Sequence, residues 1–305
     1  MTQNTSNKTL IVVGGPTASG KTALGISIAQ HFNTDIVSAD SRQFYSELNI
    51  GVARPSEGEL SAIKHHFIAH KSIHDYYSAG EFERDAIKVL NKIFVTNDYA
   101  VMVGGSGLFI NAVLHGFHEA PKDDGSVRKA ADQLYKREGI DGLVKRLTSV
   151  DPDHAAVIDR QNPQRLMRAI ERVEISGKTH QQLTQNEITK RAFNIVEIAI
   201  EDERKALYER INQRVDQMME MGLLKEVKSL VPYKDLNALK TVGYAELFEY
   251  LDGELTLEEA VEKIKQNTRR YAKRQITWFK NKTESVWIPR DAFDKVVAFI
   301  EGTRS

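Results

Sequence analysis

Eight residues constrain this chain more than any other stretch. Gly15-Pro16-Thr17-Ala18-Ser19-Gly20-Lys21-Thr22 fits the pattern G-x-x-x-x-G-K-[ST]. It stands between a β-rich apolar run, Thr9 to Val13, and a segment with Leu24, Ile28 and Phe32 at helical spacing. A strand, a glycine-rich turn and a helix in that order make a phosphate cradle: backbone N–H groups converge on an anion and the helix N-terminus adds its dipole. Lys21 neutralises charge and the Thr22 hydroxyl can hold Mg²⁺. The motif specifies a polyphosphate, not a particular one; by itself it favours an ordinary ATP-binding kinase or NTPase.

The rest of the chain supplies the sheet that such a loop needs. Asp35 to Ala39 reads as a second strand, and Ala100 to Val103 as a third that runs into Gly104-Gly105-Ser106-Gly107 before a helical stretch from Leu108 to Leu114. Strands whose C-terminal ends carry loops predict a parallel sheet with ligands along that edge. From about Pro121 to Ala192 the texture turns charged and helix-favouring, with Asp151-Pro152 and Asn162-Pro163 as helix starts. Asn194 to Ile200 returns to the sheet and Ser285 to Ile288 reads as a last edge strand. Between them, Leu207, Ile211, Val215 and Met218 or Met219 form an apolar stripe that stops at Gly222, and Thr256 with Glu259 makes a capping box. The expected fold is α/β: a P-loop parallel-sheet core with helices on both faces, built from residues 1–120 and 193–305, and an inserted all-helical domain over 121–192.

Composition removes several chemistries. With no cysteine among 305 residues, disulfides, thiolate zinc sites and a cysteine nucleophile are excluded. Met1 to Lys8 lacks the apolar run of a signal peptide and no stretch approaches a membrane span, so a cytoplasmic chain is expected. Acidic and basic residues balance at 42 each, but Lys263 to Lys282 is strongly basic with Tyr271, Trp278 and Phe279 interleaved. That segment fits a nucleic-acid surface and a solvated helix with packed aromatics equally well.

Asp40 and Ser41 follow the second strand and emerge at the same edge as the P-loop. A carboxylate there can be a general base, a ligand to a Mg²⁺-bound water or a helix cap; the position favours a ligand-facing role. The third strand ends in glycine where a nucleotide-hydrolysing P-loop protein usually carries an acid, which weakens the ATPase reading.

Taken in order, these segments resemble the tRNA dimethylallyltransferases, also called tRNA isopentenyltransferases. The resemblance runs through Gly15 to Thr22, Ser38 to Tyr45, Asn49 to Pro55, Tyr77 to Phe82, Val103 to Leu108, Asn162 to Ala169, Val242 to Tyr244 and Ala272 to Trp278. It implies transfer of a dimethylallyl group from dimethylallyl diphosphate to N6 of an adenine beside the tRNA anticodon, with Mg²⁺ as cofactor. Gly15 to Thr22 then grip pyrophosphate, Lys21 and Thr22 stabilise the leaving group, Asp40 is the catalytic aspartate and Arg214 the arginine near pyrophosphate. Ser41, Arg42 and Gln43 correspond to residues at the flipped base. Ser106 stands where threonine is usual, keeping the hydroxyl, and Arg54 where lysine is frequent. Arg128 and the run Gln164, Arg165, Leu166, Met167 and Arg168 correspond to tRNA contacts, and Arg165, Arg168 and Arg172 share one helix face.

A prenyltransferase acting on free adenine nucleotides, a P-loop small-molecule kinase and an RNA-binding module with a decayed site are the competing readings. The helical insertion argues against the first, since a mononucleotide needs no extended platform. His66, His70 and His74 recur every fourth residue, but Phe67-Ile68 is strand-like and no carboxylate cluster accompanies them, so a metal site is not expected. A monomer is expected.

Overall fold

The structure, a computed structural model, describes residues 7–116, 125–184 and 189–303. The six N-terminal residues of the leader expectation and the 121 boundary lie outside them. The described strands are β1 (Thr9–Gly14), β2 (Ile36–Ser38), β3 (His65–His66), β4 (Tyr99–Val103), β5 (Asn194–Glu201) and β6 (Val286–Pro289). The helices up to β5 are α1 (Lys21–His31), α2 (Glu57–Ala62), α3 (Ala79–Thr96), α4 (Gly107–His115), α5 (Ser126–Val150), α6 (Pro152–Val157), α7 (Pro163–Ser176) and α8 (His180–Thr184). After β5 come α9 (Arg204–Glu220), α10 (Leu223–Ser229), α11 (Ala245–Leu251), α12 (Leu257–Lys282) and α13 (Phe293–Gly302).

The strands form one parallel sheet in the order β3-β2-β4-β1-β5-β6. β1 lies centrally and every one of its residues is buried, which is why Thr9 to Val13 reads as a nearly continuous apolar run. Alternate residues feed two cores. Leu10 and Val12 pack with α3, α4 and Phe279, while Ile11 and Val13 pack with α1 and α13.

The chain divides into two compact units, residues 1–115 with 191–305, and residues 116–190. Among its described residues the second is entirely helical. Asp151 and Asn162 cap α6 and α7 through their side chains, each followed by proline in the first turn. Its core is Leu143, Leu147, Leu166, Met167 and Ile170.

The structure corrects the strand-like reading of Phe67-Ile68. The strand is His65–His66, and the chain then turns sharply, with positive φ at Phe67 (66°) and Ala69 (50°). Two residues between turns carry too little periodicity to signal a strand. His66 pairs with Asp35, His70 sits among Phe44, Phe67 and Tyr77, and His74 meets Tyr233. Burial pushes His70 down to about 4, so it is a neutral packing ring at neutral pH.

Candidate active site

The loop between β1 and α1 is held in shape from outside. Positive φ at Gly15 (132°), Ala18 (62°) and Gly20 (91°) bends its backbone. Ala18 tolerates this because Arg210 on α9, paired with Asp202, donates from Nε to the Ala18 carbonyl at 3.1 Å. Gln275 on α12 does more. Its Oε1 accepts from Thr17 N at 2.9 Å and its Nε2 donates to Gly105 O at 3.0 Å, tying the P-loop to the glycine loop after β4. A Cβ on Gly105 would lie 2.2 Å from Gln275 Nε2 and would displace that amide from its bonds.

Lys21 closes the loop by donating to Pro16 O at 2.6 Å. Burial pushes its amine down to about 8; Asp40 opposes the shift and Arg214 adds to it. Arg214, on α9, is likewise lowered by burial against the pull of Asp40 and Glu59. Two arginine and lysine charges held close and desolvated are destabilising unless an anion joins them.

Lys21, Thr22, Asp40, Glu59, His65 and Arg214 line a cavity of about 270 Å³. A second, larger one of about 890 Å³ lies against it, walled by α9, the 234–243 segment, α11 and α12. Thr17, Ala18, Asp40 and Arg214 border both. Asp40 therefore stands on the border of the two cavities. Its Oδ1 accepts from Arg42 N at 3.0 Å, which orients it and leaves Oδ2 for chemistry.

The neighbours of Asp40 are fixed by short bonds. Ser106 Oγ, at the start of α4, accepts from Ser41 N at 3.0 Å and lies 3.2 Å from Ser41 Oγ. Arg42 Nη1 donates to the carbonyls of Asn237 and Ala238 at 2.9 and 3.1 Å. Gln43 donates to the carbonyls of Val52 and Ala53, securing a turn, and lines the smaller cavity but not the larger one. Tyr271 completes the wall; burial raises its phenol to about 12, with Asp40 pushing the same way.

The residues fit Mg²⁺. It takes oxygen ligands and keeps most of its waters, so one hydroxyl, Thr22 Oγ1, with the oxygens of a bound diphosphate is an adequate set. No group of three or more metal-binding side chains is found among the described residues, and none is needed for that coordination.

In the helical unit, Arg128 on α5 donates to Gln164 on α7 at 2.5 Å and also faces Asp132 and Glu171. Arg165 and Arg168 are exposed and line a pocket of about 540 Å³ with Arg172, which is half-buried. Leu166 and Met167 are a correction: at 0% and 1% exposure their side chains are core, so only their backbone can meet a partner. Helical spacing dictates it, since two residues beside an exposed arginine point to the opposite face.

Sequence reasoning missed Gln275, Arg210 and His65. Gln275 and Arg210 are single polar residues in helices whose partners lie 258 and 192 positions away. Gln275 does fall within the segment from Ala272 to Trp278 that carries the family resemblance, which was the available signal.

Comparisons with known proteins agree in one direction. The sequence pattern of the family described as IPP transferase matches residues 43–282. A tRNA dimethylallyltransferase of Flavobacterium johnsoniae is 47% identical over 286 residues, covering 92% of this chain and 93% of that one. The crystal structure of a tRNA isopentenylpyrophosphate transferase from Bacillus halodurans is 34% identical at a TM-score of 0.72, covering 98% of this chain and 97% of that one. A eukaryotic dimethylallyltransferase, captured acting on tRNA, is 25% identical at a TM-score of 0.81, covering 97% and 80% respectively.

Proposed function

This chain belongs to the IPP transferase family, and on that premise we propose that it is a tRNA dimethylallyltransferase acting on N6 of an adenine beside the anticodon. The observation that carries the reading is Asp40 bordering both the P-loop cavity of about 270 Å³ and the adjoining cleft of about 890 Å³.

Dimethylallyl diphosphate binds with its phosphates on the P-loop, Lys21 and Arg214, and its prenyl C1 toward Asp40. The target adenine, turned out of the RNA, enters the larger cleft. Its exocyclic amine is a weak nucleophile because the nitrogen lone pair is delocalised into the ring. As the N6–C1 bond forms and the C1–O bond breaks, the amine proton passes to the Asp40 carboxylate and the electron pair leaves with pyrophosphate. Lys21 and Arg214 stabilise the charge that grows on the departing oxygen. Mg²⁺, held by Thr22, adds charge neutralisation when bound. Ser41 and Ser106 hold the backbone beside Asp40, Arg42 shapes the wall that the base meets, and Gln43 holds the Val52–Ala53 turn that borders it. Arg128, Gln164, Arg165 and Arg168 supply phosphate and sugar contacts for the anticodon stem-loop.

Among the described residues no helix is long and apolar enough to cross a membrane. A cytoplasmic monomer suits a tRNA substrate. The test is incubation of anticodon stem-loop RNA with dimethylallyl diphosphate and Mg²⁺, read by mass. One prenyl unit gained on the RNA, without ATP, is expected. Modification of free AMP in preference to RNA, or stoichiometric ADP formation, would overturn the assignment.

A further inference from the structure

One wall of the smaller cavity carries an imidazole that the reaction as described does not use. His65 opens the edge strand β3, and successive strand residues point to opposite faces. His66 turns one way and meets Asp35 at 2.8 Å; His65 turns the other and lines the cavity with Lys21, Asp40, Glu59 and Arg214. Its Nδ1 lies 3.0 Å from the Ile63 carbonyl oxygen. A carbonyl only accepts, so Nδ1 carries the hydrogen and Nε2 presents a lone pair. That Nε2 is buried and has no hydrogen-bond partner in the protein.

A diphosphate has no hydrogen to offer a lone pair; it accepts from donors. Its arrival brings several negative charges into an enclosure of about 270 Å³, of which His65 is one wall. Nearby negative charge favours the protonated form of an imidazole. We infer that His65 is a further binding residue for the donor diphosphate, engaging it through an Nε2–H formed by uptake of one proton from solvent as the anion enters. This rests on the diphosphate reading of the cavity. No covalent bond changes: the proton moves from buffer to Nε2 on binding and returns when pyrophosphate leaves.

The surroundings set the ring up for this. Burial holds His65 below its usual range; the bond to Ile63 and the Glu59 charge on α2 act against that, and His66 acts with it. Across the cavity Lys21, Arg54 and Arg214 oppose protonation and Asp40 favours it. Before the anion arrives the ring is therefore neutral at pH 7, and with the anion in place the balance reverses. Protonated, it also shields the diphosphate from the Glu59 carboxylate.

Isothermal titration of dimethylallyl diphosphate with Mg²⁺ into the full chain, repeated in buffers of different ionisation enthalpy, counts the protons taken up. At about pH 7 Lys21, with its amine at about 8, contributes only about a tenth of a proton. Wild type is expected to take up roughly half a proton or more beyond His65→Asn, which keeps an amide donor for Ile63 but loses Nε2. His65→Asn is also expected to bind about tenfold more weakly near pH 6.5, the gap closing as pH rises through the histidine's bound-state pKa. His65→Gln, a neutral donor of similar reach, is expected to recover affinity without proton uptake. Equal uptake by wild type and both variants, with all three binding, overturns the role of His65 alone. No binding heat from wild type overturns the diphosphate reading and this inference with it.

Discussion

At the scale of single residues, the proposed reaction divides its chemistry between Asp40, a carboxylate that would receive a proton, and Lys21, an amine that would keep one. Asp40→Ala is expected to lower single-turnover prenyl transfer by about 10²–10⁴-fold while leaving RNA affinity close to wild type. A rate near wild type would return Asp40 to its other visible task, orienting the backbone through Arg42 N. Lys21 is charged in about nine molecules of ten at pH 7, because burial brings its amine to about 8. The bound diphosphate stabilises the charged amine, so its affinity should fall as pH rises through about 8, approaching tenfold per unit. In Lys21→Met that slope should vanish along with most of the affinity. Pyrophosphate binding measured from about pH 6.5 to 9.5 in both proteins checks it. Both residues were legible in the sequence, since a P-loop and a strand end place them without any long-range information. His65 was not, because its meaning lies in an unpartnered nitrogen and a cavity wall.

Among the elements, α12 has the largest influence on the site. Its Phe279 packs against Gly14 and its Trp278 against Gly107, while Gln275 spans the two phosphate-side loops. The amide accepts at one end and donates at the other. Gln275→Glu should therefore keep the bond from Thr17 N, lose the one to Gly105 and place a negative charge beside the diphosphate. Diphosphate affinity is expected to drop about tenfold or more, with RNA affinity nearly unchanged. Equal losses of both would show a general packing defect instead. A second tie lies behind the cleft residue Gly51: Tyr244 OH donates to Glu226 at 2.5 Å, and the same carboxylate accepts from Ile50 N and Gly51 N. Tyr244→Phe should cost about 1 kcal/mol in denaturant unfolding, since it removes one bond from a partly buried carboxylate. An unchanged midpoint would show that the two backbone bonds suffice. The capping box at Thr256 announced where α12 begins, but nothing local to α12 told which of its basic and aromatic residues face the sheet. Tyr271 became cleft wall and Phe279 became core through tertiary packing alone.

For the molecule as a whole, the chain divides into two compact units, and the proposed function assigns the diphosphate to one and the RNA stem to the other. Arg165→Ala with Arg168→Ala should weaken stem-loop binding broadly and make its salt dependence shallower, by up to about two in log–log slope. Diphosphate affinity should be spared, and transfer at saturating RNA largely preserved. Affinity and slope both unchanged, with normal circular dichroism, would make these arginines a solvated face. What the sequence by itself determined was everything with a local or repeating signature. That includes the P-loop, the buried parallel strands, the proline-started helices of the insertion and the acid at the end of β2. These follow from steric and hydrogen-bonding rules that act over a few residues. The tertiary structure alone decided which polar groups meet across the fold. Gln275 reaches Thr17, Arg210 reaches Ala18 and His65 reaches the cavity lined by Lys21 and Asp40, whereas Leu166 and Met167 withdraw into a core. Such pairings join residues tens to hundreds of positions apart; their energy appears only once the chain's burial removes the water that would otherwise satisfy each partner.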